Sequence, residues 1–231
     1  MLMVRPLHLL VAFTIVSTLA VSLGAAPTPG VVTVEICEEG LAADGTWPTE
    51  ATATETYTEE VFGLFALPEK YISTGVRADR AFPTLVRASA TVTLPAGKHR
   101  VLLRSRGQAK LWIDGTQVLD TPFDQPRQFA VGNAGELPVE EQNTFIDLGQ
   151  GHRFAPPGNR EALGEVQFSG RPTRVVLETL IGALEPKSKR PFRPELGETV
   201  VAISPAGSTA WFLLSPGKRV VRYTDTEWNT Y

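Results

Sequence analysis

The sequence predicts an all-β protein, and three observations lead to this fold class. The 20 glycines and 18 prolines of the 231-residue chain supply the many turns that short strands need. Apolar and polar residues alternate with a period of two from Thr91 to Thr121, as they do in strands with one buried face. Hydrophobic residues make up 42% of the chain, which is enough for a globular core.

The central stretch, Thr91 to Thr121, predicts two successive β-hairpins. Leu94-Pro95-Ala96-Gly97 suits a type I turn, because proline presets φ and glycine tolerates the exit geometry. Asp114-Gly115 between two apolar runs is typical of a two-residue type I′ turn. This second turn predicts three facing pairs: Ile113 with Thr116, Trp112 with Gln117, and Leu111 with Val118.

In this register Leu111, Ile113 and Val118 form core, and Trp112 lies on the opposite face beside Lys110 and Leu119. A tryptophan in that place is either an aromatic platform for a ligand or a wedge under another loop. Both interpretations stay open at this point.

Residues 94–120 (LPAGKHRVLLRSRGQAKLWIDGTQVLD) resemble the core of the protective-antigen domain, a β-sandwich of bacterial toxins, glycosidases and cell-surface adhesins. The matching elements are an extended strand, a Pro-Ala-Gly turn, a strand rich in leucine and arginine, and an aromatic-aliphatic-Asp-Gly hairpin. They are Thr91–Leu94, Pro95–Gly97, His99–Ser105 and Leu111–Gly115. Residues 193–228 also resemble a region that follows such sandwiches in large secreted bacterial proteins.

The resemblance implies a jelly-roll type sandwich and carbohydrate binding. In the calcium-dependent adhesins of the family, two consecutive aspartates hold the metal that grips sugar hydroxyls. This chain contains no Asp-Asp pair. We therefore expect no cofactor and no metal site, with calcium kept only as an unsupported alternative.

Met1 to Ala26 has the build of a secretory signal peptide. Arg5 gives the positive start, an apolar run follows from Leu7 to Val21, and small residues from Ser22 end the segment. The alternative is an uncleaved anchor helix, for which this run is short, since a span needs about 20 apolar residues. We expect the protein to be secreted, or periplasmic and in the cell envelope, with membrane contact only through such an anchor.

Net charge and cysteine content exclude further classes. A formal net charge of −3 argues against a nucleic-acid partner, which requires phosphate neutralisation. Cys37 is the only cysteine, so no internal disulfide can form. Its place in the alternating segment VVTVEIC predicts a buried small hydrophobe rather than a reactive thiol.

The elements before the central stretch follow from their apolar patterns. We expect a strand at Val31–Cys37, a surface connection at Glu38–Glu60 anchored by Trp47-Pro48, a short strand at Val61–Leu67, a loop at Glu69–Pro83, and a long strand at Leu85–Leu94.

After the central stretch, we expect a strand at Asn143–Leu148, a loop at 149–161, and closing strands at Gly164–Ser169 and Thr173–Ile181. The last of these is assigned as a strand because Val175, Val176 and Thr179 are β-branched.

These elements divide the chain into a signal peptide (1–26), the sandwich (27–184), a linker rich in proline and basic residues (185–197), and a small antiparallel β-meander (198–231). Thr224 and Glu227 have the spacing of a capping box, which announces a helix that the remaining residues are too few to form. We therefore expect the chain to be the amino-terminal part of a larger multidomain protein, or a truncated gene product.

Candidate ligand-binding residues lie in two places. Trp112, Asp114 and Gln117 belong to the second hairpin. The predicted loop at 149–161 contributes the others, which are His152, Arg153, Asn159, Arg160 and Glu161. An ordinary solvated crossover is the alternative for this loop.

No catalytic motif is present, so we expect the protein not to be an enzyme. The chain contains no G-x-S-x-G elbow, no P-loop and no dinucleotide fingerprint. The sequence favours an exported, non-catalytic module that binds a polysaccharide or other glycan. The main alternative is a scaffold without a ligand that docks a further domain or a neighbouring protein. A glycoside hydrolase using Asp114, Asp120 or Glu161 is the weaker alternative.

Overall fold

A computed structural model describes residues 29–121, 146–149, 151–155, 159–184, 195–208, 210–217, 220 and 222–223. Throughout these residues the regular elements are β-strands, which confirms the predicted all-β class. The expected signal peptide, the capping box and most of the expected linker lie outside the described residues. None of the described residues belongs to a helix long and apolar enough to cross a membrane.

The strands of the described residues, in chain order, are β1 (Val32–Cys37), β2 (Glu55–Glu59), β3 (Gly63–Leu64), β4 (Lys70–Tyr71), β5 (Arg77–Ala78), β6 (Thr84–Val92), β7 (Gly97–Ser105), β8 (Gln108–Ile113), β9 (Thr116–Thr121), β10 (Ile146–Gly149), β11 (His152–Ala155), β12 (Asn159–Phe168), β13 (Thr173–Ile181), β14 (Thr199–Ser204), β15 (Trp211–Leu213) and β16 (Arg222–Tyr223).

The strands form two large antiparallel sheets and one small one. The first sheet has the order β2-β1-β6-β13-β8-β9. The second has the order β10-β11-β12-β7-β14-β15-β16, and β3 also pairs with β14. Strands β4 and β5 form a separate two-stranded hairpin.

One hydrophobic core joins the inner faces of the two large sheets. From the first sheet it contains alternate residues such as Val86, Leu111 and Leu177, and from the second it contains Val101 and Val201. Alternation with a period of two is what a strand with one buried face requires. The molecule is therefore a β-sandwich.

The first of the two predicted hairpins is wrong. Strand β6 pairs with β1 and β13, whereas β7 pairs with β12 and β14, so the turn at 94–97 carries the chain from one sheet to the other. The carbonyl of Pro95 lies 2.9 Å from Nε2 of His99, a contact that closes this corner. Local turn chemistry does not distinguish a hairpin from a sandwich corner, because both need the same change of direction.

The second predicted hairpin is confirmed. Asp114 and Gly115 have φ values of 46° and 79°, and two positive φ angles define the type I′ turn. Ile113 faces Thr116 and Trp112 faces Gln117, as predicted.

The third predicted pair is wrong, because the register shifts between Leu111 and Trp112 and Leu111 faces Leu119. Leu119, predicted to lie beside Trp112, packs instead against the core, as Val118 also does.

Four other segments differ from the expectation. The surface connection contains the edge strand β2, the segment Val61–Leu67 contributes only β3, the loop Glu69–Pro83 contains β4 and β5, and the loop 149–161 contains β11 and the start of β12. The missed β2 has half-exposed, polar residues (ETYTE), so it lacks the apolar signal by which buried strands are found.

Strands β14, β15 and β16 form an antiparallel meander, as predicted from residues 198–223. Strand β14 also pairs with β7, so the meander continues the second sheet. Leu196, from the expected linker, is buried in the core. The division into domains stays a prediction.

Candidate functional site

A row of charged side chains crosses the outer face of the first sheet. Five strands place one charged residue each in this row, and neighbours face each other in the order Glu35, Arg87, Glu178, Lys110 and Asp120. The signs alternate along the row. Opposite charges on directly facing positions stabilise antiparallel pairs, so the row supports the sheet.

Arg87 is the centre of this row. Its Nε donates to Oε1 of Glu178 at 2.6 Å, and its Nη1 lies 3.4 Å from Oε2 of Glu35. Burial acts to lower the pKa of Arg87, but the Glu178 and Glu35 carboxylates outweigh it and raise that pKa above its usual value. The guanidinium therefore stays charged and is matched by the two carboxylates.

The segment 38–54 lies over part of this outer face and is held there by Trp47. The indole Nε1 of Trp47 donates to Oε2 of Glu178 at 3.0 Å. The ammonium of Lys110 lies 4.5 Å from the centre of the Trp47 ring, a cation–π distance. Beneath the segment, Cys37 and two leucines form a small apolar cluster.

Trp112 stands at the border between the covered and the open part of the outer face. Its ring centre lies 6.3 Å from that of Trp47, and the two planes are inclined by 49°. Val176 of β13 faces it on one side and the exposed Gln117 of β9 on the other. The contact with Trp47 agrees with the interpretation of Trp112 as a wedge under another loop. Trp112 is nevertheless only half-buried, so part of its surface is open to solvent, as an aromatic platform requires.

The turn beside Trp112 is fastened to β13 at Arg174. The backbone N–H of Arg174 donates to Oδ1 of Asp114 at 2.8 Å, and the N–H of Asp114 donates to the Arg174 carbonyl at 2.8 Å. Residues Trp47, Lys110, Trp112, Gln117 and Arg174 are called here the tryptophan face.

The predicted residues from the 149–161 segment lie on the other sheet. The backbones of His152 and Arg153 in β11 face Ala162 and Glu161 of β12. Arg160 is half-buried on β12. The structure therefore brings Trp112, Asp114 and Gln117 together, but places the second group of candidates elsewhere in the sandwich.

Asn159 and Glu161 belong to a buried polar network around Arg104. Arg104 is 1% exposed and Glu161 is 0% exposed, and the guanidinium donates to the Glu161 carboxylate. Nη1 of Arg104 also donates to Oε1 of Glu198 at 2.7 Å, and Nδ2 of Asn159 donates to Oε2 of Glu198 at 3.2 Å. Asn159 and Glu161 therefore contact protein groups in the interior and do not reach a surface ligand.

Sequence reasoning missed Trp47 and Arg174 as neighbours of Trp112, and Arg104 and Glu198 as partners of Glu161. One signal was available for Arg104, which directly follows the apolar run Val101–Leu103 of β7 and lies on the same face as Leu102. A charged residue in that place needs a buried partner. The sequence does not show which carboxylate provides it.

The carboxylates of the weaker alternative, a hydrolase, do not share one element. Asp114 lies at the β8–β9 turn and Asp120 in β9 of the first sheet, whereas Glu161 is in β12 of the second sheet. Among the described residues, no group of three or more His, Cys, Asp or Glu side chains could hold a metal ion.

The thiol of Cys37 reports whether segment 38–54 stays in place. Cys37 is buried, as predicted, and burial raises its pKa from 9.0 to about 11. We expect a thiol reagent at pH 8 to react very slowly with the folded protein, since only the thiolate is nucleophilic. Trp47→Ala should increase the reaction rate about ten-fold or more, because it removes the anchor of the covering segment.

The control for this experiment is Trp211→Ala, which changes a tryptophan on the second sheet. It should leave the Cys37 reaction rate within about two-fold of the parent protein. Equal rates for Trp47→Ala and the parent would show that Trp47 does not hold the segment closed.

Comparison with known proteins identifies similar structures. No protein-family model matches the chain, and no curated protein matches it. The PA14 domain of the MpAFP antifreeze protein is 8% identical with a TM-score of 0.48, over 88% of this chain and 97% of that one. A PA14 sugar-binding domain from an RTX adhesin is 8% identical with a TM-score of 0.47, over 85% and 100% of the two chains.

An anti-sigma factor domain-containing protein from Clostridium clariflavum is also similar, at 12% identity and a TM-score of 0.43. The match covers 87% of this chain, which spans only 50% of that protein's length. PA14 domains are thus among the similar structures.

Proposed function

We propose that this chain is an exported, non-catalytic carbohydrate-binding module whose glycan binds on the tryptophan face. The observation that carries the proposal is the half-buried Trp112, held against Trp47 on one side and open to the exposed Gln117 on the other. Export rests on the signal-peptide pattern of residues 1–26.

A sugar ring has an apolar C–H face and a rim of hydroxyl groups, so it needs an apolar plane with hydrogen-bonding groups beside it. Trp112 supplies the plane, and aromatic side chains give much contact area with few rotatable bonds. The amide of Gln117 both donates and accepts, as hydroxyl groups do. Contact with Trp47 orders Trp112 before a ligand arrives, which lowers the entropic cost of binding.

The direct test is a glycan array, with and without calcium, followed by tryptophan-fluorescence titration of every glycan that binds. We expect Trp112→Ala to weaken binding at least about ten-fold, equivalent to ~1.4 kcal/mol. Trp211→Ala, on the second sheet, should leave the affinity unchanged. Absence of any bound glycan, or equal affinity of Trp112→Ala and the parent, would refute the proposal.

A second candidate function, docking of a neighbouring protein or domain, is favoured by the β4–β5 hairpin. Tyr71, Ile72 and Val76 are 61%, 49% and 59% exposed. The hairpin is held in place by Arg80, which donates to Glu38 at 3.1 Å and to Glu55 at 3.0 and 2.9 Å. Exposed apolar side chains on a fixed support are typical of interaction sites.

One experiment shows whether the glycan binds on the tryptophan face or at the hairpin. Replacing Tyr71, Ile72 and Val76 together with serine should leave glycan affinity unchanged if the tryptophan face binds the sugar. Loss of glycan binding in this triple variant, with Trp112→Ala unaffected, would move the site to the hairpin.

A further inference from the structure

We infer that the tryptophan face takes acidic glycans, whose sugar rings carry a carboxylate or a sulfate. This inference rests on the proposed function and names the ligand class for the same site. It is carried by the charged groups around Trp112, where the carboxylates accept hydrogen bonds from protein donors and, among the described residues, two cations form no ion pair.

The first cation is Arg174. It lies on β13, two residues before Val176, which faces Trp112. Its backbone N–H donates to Asp114, but its guanidinium makes no hydrogen bond or ion pair within the part of the chain that the structure describes. The side chain is half-buried, and the backbone bonds to Asp114 place the residue at the turn end of the face.

The second cation is Lys110, on the opposite side of Trp112. It faces Glu178 across the strands, but across the described ranges its ammonium makes no ion pair and instead lies over the Trp47 ring. Standard strand geometry separates the Cα atoms of Lys110 and Arg174 by roughly 14 Å, about the length of two to three sugar rings. An oligosaccharide stacked on Trp112 would therefore meet a cation at each end.

The neighbouring carboxylates are already engaged. Glu178 accepts from Arg87 through Oε1 and from Trp47 through Oε2. Asp114 accepts the Arg174 N–H through Oδ1. Asp120 also interacts with another residue of the chain. Arg87 is matched by Glu178 and Glu35, so Lys110 and Arg174 are the cations of this face that remain to meet an anionic ligand.

An anionic group on the sugar would match these cations. A guanidinium can donate two parallel hydrogen bonds to a carboxylate or a sulfate, and such charge-assisted bonds are about twice as strong as neutral ones. A lysine ammonium contributes as a point charge. Because both groups reach solvent, salt should weaken the interaction.

The test compares three oligosaccharides of equal length by calorimetry on the full chain. The probes are an oligogalacturonate, a sulfated oligogalactan and a neutral oligogalactan. We expect one or both acidic probes to bind at least about ten-fold more tightly than the neutral one. The affinity for the acidic probes should decrease as the salt concentration rises. The carboxylate and sulfate arms show which anion is preferred.

Arg174→Gln and Lys110→Gln are the informative variants, since each removes a charge and Arg174→Gln keeps the backbone N–H that binds Asp114. Each should weaken acidic-probe binding about five-fold or more and leave thermal unfolding unchanged. Arg100→Gln is the matched control, because Arg100 lies 5.0 Å from the Trp211 ring on the second sheet. It should bind as the parent does.

The outcomes separate the two proposals. Neutral-probe binding that is lost in Trp112→Ala but as tight as acidic-probe binding would overturn the acidic class and leave the carbohydrate function standing. Acidic-probe binding unaffected by both glutamine variants would also overturn the inference. No binding of any of the three probes or of any arrayed glycan would refute the proposed function itself.

Discussion

Replacing Arg104 with methionine will lower the free energy of unfolding by about 3–5 kcal/mol, because it leaves buried carboxylates without their cation. Arg104 is 1% exposed and contacts both Glu161 and Glu198. Methionine keeps most of the aliphatic volume, so the loss reports mainly the uncompensated charge. Urea unfolding at pH 7 measures it, as a lower midpoint with an unchanged slope.

Lys98→Met provides the matched control. Lys98 lies on the same face of the same strand, and it too pairs with a carboxylate of β12, Glu165. This pair is exposed, and exposed pairs contribute about 0–1 kcal/mol. A loss below about 1 kcal/mol for Arg104→Met, or an equal loss in both variants, would contradict a buried role for the Arg104 network.

Leu177→Ala should lower the free energy of unfolding by about 2–5 kcal/mol, the usual cost of the lost contacts and the cavity left in a core. Leu177 is 0% exposed and lies on β13, which pairs with β6 on one side and β8 on the other. The surrounding strands cannot collapse onto the cavity without breaking this pairing.

The control for Leu177 is Ile72→Ala at the β4–β5 hairpin, where 49% of the side chain is exposed. Both substitutions remove three side-chain carbon atoms, so the main difference between them is burial. We expect a change within about 0.5 kcal/mol, as for most surface substitutions. Similar losses at the two positions, measured by urea unfolding, would show that the inner face of β13 is not the core.

Local chemistry was enough to predict some elements of this fold. The Asp114-Gly115 turn was predicted because only a few residues accept its positive φ angles. Strand β13 was predicted because its β-branched residues fit a pleated, half-buried surface. Both signals lie within a few neighbouring residues, so they are visible in the sequence alone.

Features that depend on distant partners were not predicted. The corner at 94–97 was interpreted as a hairpin because β6 directly precedes β7 in the sequence. The actual partners of β7 are β12 and β14, which lie much later in the chain. Glu198 lies 94 positions from Arg104, and Glu178 lies 131 positions from Trp47. Neither pairing follows from a pattern until the order of the strands is known.

The candidate site was also predicted only where it depends on neighbouring residues. Trp112 and Gln117 were placed together because the turn sets their register. Lys110 was already expected beside Trp112, whereas Arg174 comes from β13 and joins the face only through sheet pairing. The second group of candidates, from 149–161, lies on the second sheet, away from this face, and its role in binding stays a prediction.

The corner after Pro95 has a consequence for how the protein folds. Because β6 and β7 lie in different sheets, each sheet is assembled from segments that alternate along the chain, and neither sheet is encoded by one continuous stretch. The central pairings of both sheets, such as β6 with β13 and β7 with β12 and β14, must therefore wait for chain that is synthesised later. Chains that depend on such non-local pairing typically fold in milliseconds to seconds. A fragment that ends before β14 would leave one edge of β7 without its neighbour and open to association with other chains.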